Sequence, residues 1–355
     1  MQYYYKNKAA HLVLLMSMLL ASGCDKSDKE EPSKIEDITV ATVNVDGLPV
    51  SVHIGYIAQL VKGIVPPEFI DVETESLLVN PDGPGTEGSL QIGQKICEKD
   101  WDVFGLNEDF NYHQEIWKAL DGYSNGTYQG RFEADDLFSL IPKLFNQETL
   151  FNIDGLGFGV RKKYSIVKEI VRPWAAGALY GYLTNDQDQL TTKGFRYYQV
   201  KFDKQTTVDF ITLHADAGSD NEDIQARQVA MGQLYDFITT EIATDNPLVI
   251  MGDFNCYYMR DSLKELFIDR LNANPGFEAG DAWIECTKGG VYPAHADAAV
   301  PLDEQLDKIV YVNRKDAKLR LKPASAAKVT DFTDANGGQL SDHYPLQATF
   351  QIERN

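Results

Sequence analysis

Past residue 35 the apolar positions gather into short runs with two distinct periods. Ile38–Val43 (ITVATV) alternates and predicts a first strand, and Trp101–Leu106 (WDVFGL) predicts a second. Strands are then expected in pairs, Gly155–Val160 with Tyr164–Val171 and Gly194–Phe202 with Thr207–Leu213. Leu248–Met251 (LVIM) is apolar without alternation, the pattern of a strand buried on both faces, and Gly252 is expected to end it. Gln305–Val312 and Leu346–Ile352 complete the set. The other period is helical. Ile224, Met231, Leu234, Ile238 and Ile242 recur at helix spacing across Asp223–Ala243, which predicts a helix lying on a sheet. A second helix is expected from Ser89 as its N-cap, with Leu90, Gly93, Ile96 and Cys97 on one face. Asn80–Gly88 is rich in turn residues, and Asp121–Asn152 reads as an excursion of loop and short helix. Strand-rich runs with a few helices between them belong to the α/β class, here as two packed mixed β-sheets with helices outside.

The amino-terminal stretch follows neither period. Lys6 and Lys8 precede the apolar run Ala9–Leu20, which is too short to span a bilayer and has the proportions of a signal peptide. Leu20-Ala21-Ser22-Gly23-Cys24 resembles a bacterial lipoprotein box with Cys24 as the acylated first residue. The leucine lies one place further from the cysteine than usual, and an ordinary secretory cleavage nearby is the alternative. Asp25–Lys34 (DKSDKEEPSK) is charged and solvated, a tether, and resembles the surface-export signals of lipoproteins in the Bacteroides group. Residues 1–23 are therefore expected to be a lipoprotein signal peptide, 24–36 a flexible tether and 37–355 the folded domain. The mature protein is expected to be exported, anchored at the outer membrane through acylated Cys24, and monomeric by default.

Charge narrows the partners. The full chain carries a formal −20; losing residues 1–23 removes Lys6 and Lys8 and no acid, so 33 basic residues fall to 31 against 53 acidic, and −20 becomes −22. That excess repels polyanions and counts against nucleic-acid binding, which runs on phosphate neutralisation. It suits a protein that attracts divalent cations. Cys97, Cys256 and Cys286 are too widely spaced for a zinc pattern or a disulfide framework and are expected as buried or half-buried free thiols.

Chemistry-bearing residues collect where the predicted strands end: Asn44, Glu108, His214, Asp253 with Asn255, and Asp342 with His343 just before the last strand. Strand ends of layered α/β proteins are a usual place for a ligand. Six stretches, VNVDGLP (Val43–Pro49), GLNE (Gly105–Glu108), LHAD (Leu213–Asp216), GDFN (Gly252–Asn255), LDKI (Leu306–Ile309) and SDHYP (Ser341–Pro345), stand in this order. In these stretches, which together reach across nearly all of Ile35–Asn355, the chain resembles the endonuclease/exonuclease/phosphatase superfamily of metal-dependent phosphoesterases. The resemblance implies a four-layer α/β sandwich and a divalent cation, Mg²⁺ or another such as Mn²⁺ or Ca²⁺. It implies Glu108 as the principal metal ligand, with Asn44 beside it and Asp46 a further carboxylate near the metal. Asp253 and Asn255 would position the attacking water and a phosphate oxygen. His343 is expected as general base, because an unperturbed histidine titrates close to working pH. Asp307 would hold its imidazole in the right tautomer, Asp342 would lie beside it near the metal, and His214 would donate to the phosphate or assist the leaving group. His113, five residues after Glu108, reads as a surface histidine, as do His53 and His295.

The phosphoester itself is less determined. Asn107 before Glu108, Thr192-Lys193-Gly194-Phe195 before a strand, and SDHYPLQATF (Ser341–Phe350) resemble bacterial sphingomyelinases. Pro173–Tyr182, rich in aromatics, reads either as an apolar contact with lipid or as a core-packed loop. NVDGL (Asn44–Leu48) instead resembles abasic-site DNA endonucleases, and the Ala-Asp-Ala-Gly after His214 differs from the sphingomyelinases. The acidic charge and the expected export favour a phosphodiesterase acting on a lipid headgroup. A secreted nuclease and a sugar- or inositol-phosphate phosphatase are the alternatives, and a surface lipoprotein that binds without catalysis is a further class.

Overall fold

Strand β1 (Asp37–Asn44) buries both of its faces: Ile38 and Val40 enter one apolar cluster, Ala41 and Val43 another. A strand covered on both sides has to lie inside a layered structure. The computed structural model describes residues 35–47, 84–129, 154–175, 193–218, 221–258, 262–293 and 305–355. After β1 come α1 (Gly85–Lys99), β2 (Val103–Asn107), α2 (His113–Trp117), β3 (Tyr123–Asn125), β4 (Gly157–Arg161) and β5 (Ser165–Pro173). Next are β6 (Gly194–Lys201), β7 (Thr207–His214), α3 (Asn221–Asp236) with a wider π turn over Phe237–Glu241, and β8 (Leu248–Asp253). A helical segment over Lys264–Asp269 and Arg270–Ala273 leads to β9 (Phe277–Asp281), α4 (Ala282–Lys288), β10 (Asp307–Arg314), β11 (Leu319–Lys328) and β12 (Leu346–Arg354).

The strands form two six-stranded sheets, ordered β11-β12-β1-β2-β4-β3 and β5-β6-β7-β8-β10-β9. Each holds a single parallel pair among these strands, β1 with β2 and β7 with β8, and its other neighbours run antiparallel. Val40, Val103, Phe158, Phe210, Val249, Met251 and Ile309 fill the space between the sheets. Ile211, Ile250 and Val310 point the other way, against Met231, Leu234 and Phe237 of the α3 region. Ala41, Val43, Phe104 and Leu106 meet Ile92 and Ile96 of α1. The layers therefore run helix, sheet, sheet, helix, the expected four-layer α/β sandwich. Lys34–Asn355 makes up one compact unit.

Polar groups also tie the two sheets together. Arg196 on β6 is fully buried, donates through Nε and Nη2 to both oxygens of Asp154 at 2.6 and 2.7 Å, and also donates to the Thr127 carbonyl. Asn107 at the end of β2 donates from Nδ2 to the Leu213 carbonyl of β7 at 2.6 Å and accepts from Thr42 Oγ1 at 3.1 Å.

Several boundaries differ from expectation for local reasons. α1 starts at Gly85 after Pro84, and Ser89 lies inside it, buried rather than capping; its inner face is Ser89, Ile92, Gly93 and Ile96, and Cys97 is exposed. Gly93 has no room for a side chain, since a Cβ there would stand 2.0 Å from the Ile116 carbonyl oxygen. β8 does not stop at Gly252 but pairs through Asp253, with Asp307 on one side and His214 on the other. β11, which no run predicted, is an edge strand broken by a bulge between Pro323 and Ser325, and such strands are marked by charge and proline rather than by apolar alternation. Cys286 is exposed too, and only Cys256 of the three thiols is buried. His53, His295, Leu48, Pro49, Thr192, the leader and the tether up to residue 34 lie outside the described residues.

Candidate active site

Both parallel pairs end at the same edge of the sandwich. β1 delivers Asn44 and β2 leads directly into Glu108, with Asn44 in register with Asn107; β7 delivers His214 and β8 Asp253, which are likewise in register. One ligand atom from each of Glu108, His214 and Asp253 lies within 4.8 Å of the others, the His214 Nε2 to Asp253 Oδ2 separation being 3.8 Å. Asn44 is buried and joins the carboxylates: its Nδ2 donates to Glu108 Oε1 at 3.0 Å and lies 3.4 Å from Asp253 Oδ2, while its Oδ1 accepts from the Asp46 amide at 3.0 Å. Asn44, expected beside the metal, is thus a donor that holds two carboxylates together.

The loops after these strands turn sharply. Of five non-glycine residues with positive φ among those described, three are Asp46, Glu108 and Asn255. A residue with a Cβ adopts that region at a cost of about 1–2 kcal/mol, and such outliers gather at functional sites. Asn255 is held there by its own amide, which donates to Asp253 Oδ1 at 2.8 Å, and by Nδ2, which donates to the Ala215 carbonyl at 3.1 Å. Gly252, at φ +152°, lies so close to β7 that a Cβ would stand 2.0 Å from the Leu213 carbonyl oxygen. Gly47 is pressed in the same way on the Glu108 carbonyl, at 2.3 Å.

Across from the parallel pairs, His343 Nδ1 lies 2.6 Å from Asp307 Oδ2. A carboxylate only accepts, so the proton of that bond sits on Nδ1 and leaves Nε2 as the ring's other proton site. Burial alone would lower the His343 pKa, but the Asp307 charge and hydrogen bond, then Asp253 and Asp342, outweigh it and raise it to about 11. This departs from the near-neutral value on which the general-base expectation rested, and the cause is the number of carboxylates around the ring. The same crowding acts on the acids. Burial, then Asp342 and Glu108, push Asp46 up to about 7; burial, then Asp342 and Asp253 against the opposing Asn44 bond and Lys193, push Glu108 up to about 7. Asp342 itself is exposed at the rim. Carboxyl groups that resist ionisation because they are buried and crowded by other carboxylates, with an imidazole among them, are a donor set that fits a divalent cation.

The profile of the Endonuclease/Exonuclease/phosphatase family matches residues 41–343. The chain belongs to this family. Its members hydrolyse phosphoester bonds, and the six motifs read from the sequence fall within or at the edge of the matched span. Among curated proteins, the sphingomyelinases of Mycobacterium tuberculosis and Mycobacterium bovis are 28% identical over 263 residues, 73% of this chain. The chain spans about half the length of those relatives, 47%. Solved structures with the same fold include D. rerio TDP2 with a single-strand DNA product (TM-score 0.54, 15% identity, 88% of this chain and 98% of that one). Others are a mannosyl-6-phosphatase of Bacteroides thetaiotaomicron (0.53, 15%, 88% and 99%) and beta toxin of Staphylococcus aureus (0.51, 17%, 88% and 99%).

Family membership leaves each residue to be judged on its own contacts. Asn44, Asp46, Glu108, His214, Asp253, Asn255, Asp307, Asp342 and His343 all lie at this one edge, and no further group of three metal-capable side chains forms among the described residues. Trp174, from the segment considered as a lipid contact, is buried: its ring packs 5.1 Å from that of Phe195, and its Nε1 donates to the His214 carbonyl at 2.7 Å. It supports the site from behind, and residues 176–182 lie outside the described part. His113, expected at the surface, is buried and bonded to Asp109 at 2.5 Å. The available signal was the spacing Asp109-x-x-x-His113 directly after Glu108.

Proposed function

We propose that this protein is an exported, Mg²⁺-dependent phosphodiesterase that hydrolyses the headgroup ester of a phospholipid of the sphingomyelin type. The reading is carried by the convergence of Glu108, His214 and Asp253 beside the Asp307–His343 pair, in a chain whose curated relatives are named sphingomyelinases. The acidic balance supports a lipid over a polyanionic substrate. Glu108 and Asp253 would hold a divalent cation, which when bound would supply positive charge to a phosphoryl oxygen. Asn44 keeps those two carboxylates together, and Asn255 is pinned by its own turn beside Asp253. Asp307 keeps the His343 proton on Nδ1, so Nε2 is the nitrogen left to act as base. His343 then takes the proton of the attacking water at Nε2 as the water oxygen bonds to phosphorus. The ester oxygen leaves with the bonding pair, and His214 donates to it or to a phosphate oxygen. Acylation of Cys24 would tether the domain through the chain that enters β1 at Asp37, the end remote from Asn44.

Purified protein, offered sphingomyelin vesicles with Mg²⁺ and with EDTA, tests the reading. Phosphocholine release that EDTA and His343→Ala both abolish is the expected result. Cleavage of plasmid or of an abasic-site oligonucleotide without lipid turnover would move the protein to nuclease chemistry. Release of phosphate from mannose 6-phosphate alone would make it a sugar phosphatase. No turnover even of a generic phosphodiester would point to a lipoprotein that only binds. Globomycin sensitivity of processing, or its absence, decides the anchor.

A further inference from the structure

Glu108 adopts φ +59° immediately after β2, and something beyond it must hold that turn. The residues that follow do so through a buried pair. The Asp109 amide donates to the Gly155 carbonyl at 2.9 Å, and the Phe110 amide to the Glu108 carbonyl at 2.8 Å. The Asp109 side chain is fully buried, with Oδ2 2.5 Å from His113 Nδ1. Its Oδ1 has no hydrogen bond among the described residues. Gly157 makes room for this carboxylate, since a Cβ there would meet Oδ2 at 2.7 Å. His113 is fixed in turn: Asn125 Nδ2 lies 2.6 Å from its Nε2, and its ring stacks on Tyr128 at 3.7 Å and 7°. Tyr128 closes the circuit by donating from its hydroxyl to the Phe110 carbonyl at 3.0 Å.

The arrangement repeats the Nδ1-to-carboxylate geometry of the Asp307–His343 pair, with one decisive difference. In His113 both ring nitrogens are engaged and one face is covered, so the ring cannot serve a substrate. We propose that His113, acting through Asp109, is a positioning residue that holds the Glu108 turn in the conformation that binds the metal. Partners one step behind metal ligands typically contribute roughly ten- to a hundredfold to metal affinity. This inference rests on Glu108 as a metal ligand, so the test carries its own control.

The experiment measures Mn²⁺ binding by the full chain, by electron paramagnetic resonance, for wild type, Glu108→Gln, His113→Phe and His113→Asn. Phenylalanine keeps the stack on Tyr128 but leaves the Asp109 carboxylate buried without its donor; the asparagine amide can replace the Nδ1 donor. The expected result is binding weakened roughly tenfold or more in His113→Phe, largely restored in His113→Asn, with turnover at saturating Mg²⁺ within about threefold of wild type. Unchanged Mn²⁺ affinity in His113→Phe, while Glu108→Gln loses binding, would overturn the positioning role alone. Unchanged affinity in Glu108→Gln would overturn the metal assignment beneath it. Should His113→Phe not fold, Asp109→Asn, of nearly the same shape, takes its place, and the same weakening is expected of it.

Discussion

Removing divalent cations makes the stability of this protein fall as pH rises through neutrality, and the size of the fall follows from two carboxyl groups. Glu108 titrates at about 7 in the fold against 4.5 unperturbed, and Asp46 at about 7 against 3.8. A carboxyl group whose pKa is raised on folding contributes stability that is complete below its unfolded pKa and is lost as pH rises through its folded one. For a shift of this size the whole term is about 3 kcal/mol, and about 2 kcal/mol of it falls between pH 5 and 7. Because the Glu108 charge accounts for part of the rise of Asp46, the two are not added, and about 3 kcal/mol stands for both. His343, raised to about 11, and the carboxyls of Asp209, Asp281 and Glu285, also raised by burial, contribute in the same direction, so the share of the site acids is read as the difference between wild type and Glu108→Gln. At roughly 2 °C per kcal/mol for a domain of this size, the melting temperature in EDTA should drop by about 4 °C from pH 5 to 7. Mg²⁺ should restore most of that drop at pH 7 and little at pH 5, because the cation replaces protons that are still present at the lower pH. Thermal melts followed by circular dichroism, with EDTA or Mg²⁺ at each pH, measure it, and Glu108→Gln should flatten the EDTA curve. A melting temperature in EDTA that is level or rising from pH 5 to 7, or an equal Mg²⁺ gain at both, would refute the argument that these carboxyl groups resist ionisation.

Other consequences are more local. Gly252→Ala places a Cβ against the Leu213 carbonyl, so β7 and β8 must separate where they carry His214 and Asp253; turnover should fall at least tenfold and the melting temperature with it, measured side by side. Asp307→Asn keeps the shape but lets His343 take the wrong tautomer; kcat should fall by at least about a hundredfold with KM nearly unchanged, which steady-state kinetics will read. Asn107→Ala leaves the Leu213 carbonyl without its inter-sheet donor, and urea unfolding should show a loss of about 1–3 kcal/mol.

The strands were legible wherever burial on both faces leaves a run of apolar residues, as in Leu248–Met251 and Ile38–Val43. β11 was not, because an edge strand meets solvent and its residues record that rather than a period. The start of α1 was misread for a related reason. Ser89 looks like a cap in one dimension, but the fold needs a small side chain at that point of the buried face of the helix, and no capping side chain is used at Pro84. Residue type at the strand ends picked out groups that the fold brings to one edge. It did not say how they divide the work. Asn107 served in the sequence only as a mark of kinship, yet its amide reaches a carbonyl 106 positions away and joins the sheets whose ends form the cleft.

Asn44 shows why the division of work depends on partners. A carboxamide offers one oxygen for a cation and one nitrogen for a carboxylate, and the motif around it is compatible with either. In the fold the oxygen accepts from the Asp46 amide with one of its two lone pairs, while the nitrogen stands between Glu108 and Asp253, which come from different sheets. Two carboxylates brought together from two sheets repel one another, and a neutral donor between them lessens that repulsion without adding a charge that would compete with a cation. Aspartate at this position would fit the space but would add a further negative charge beside Glu108 and Asp46, whose carboxyls are already pushed up to about 7. Position 44 therefore carries a donor that cannot ionise, and the second lone pair of its oxygen is compatible with the place beside a metal that the motif implies.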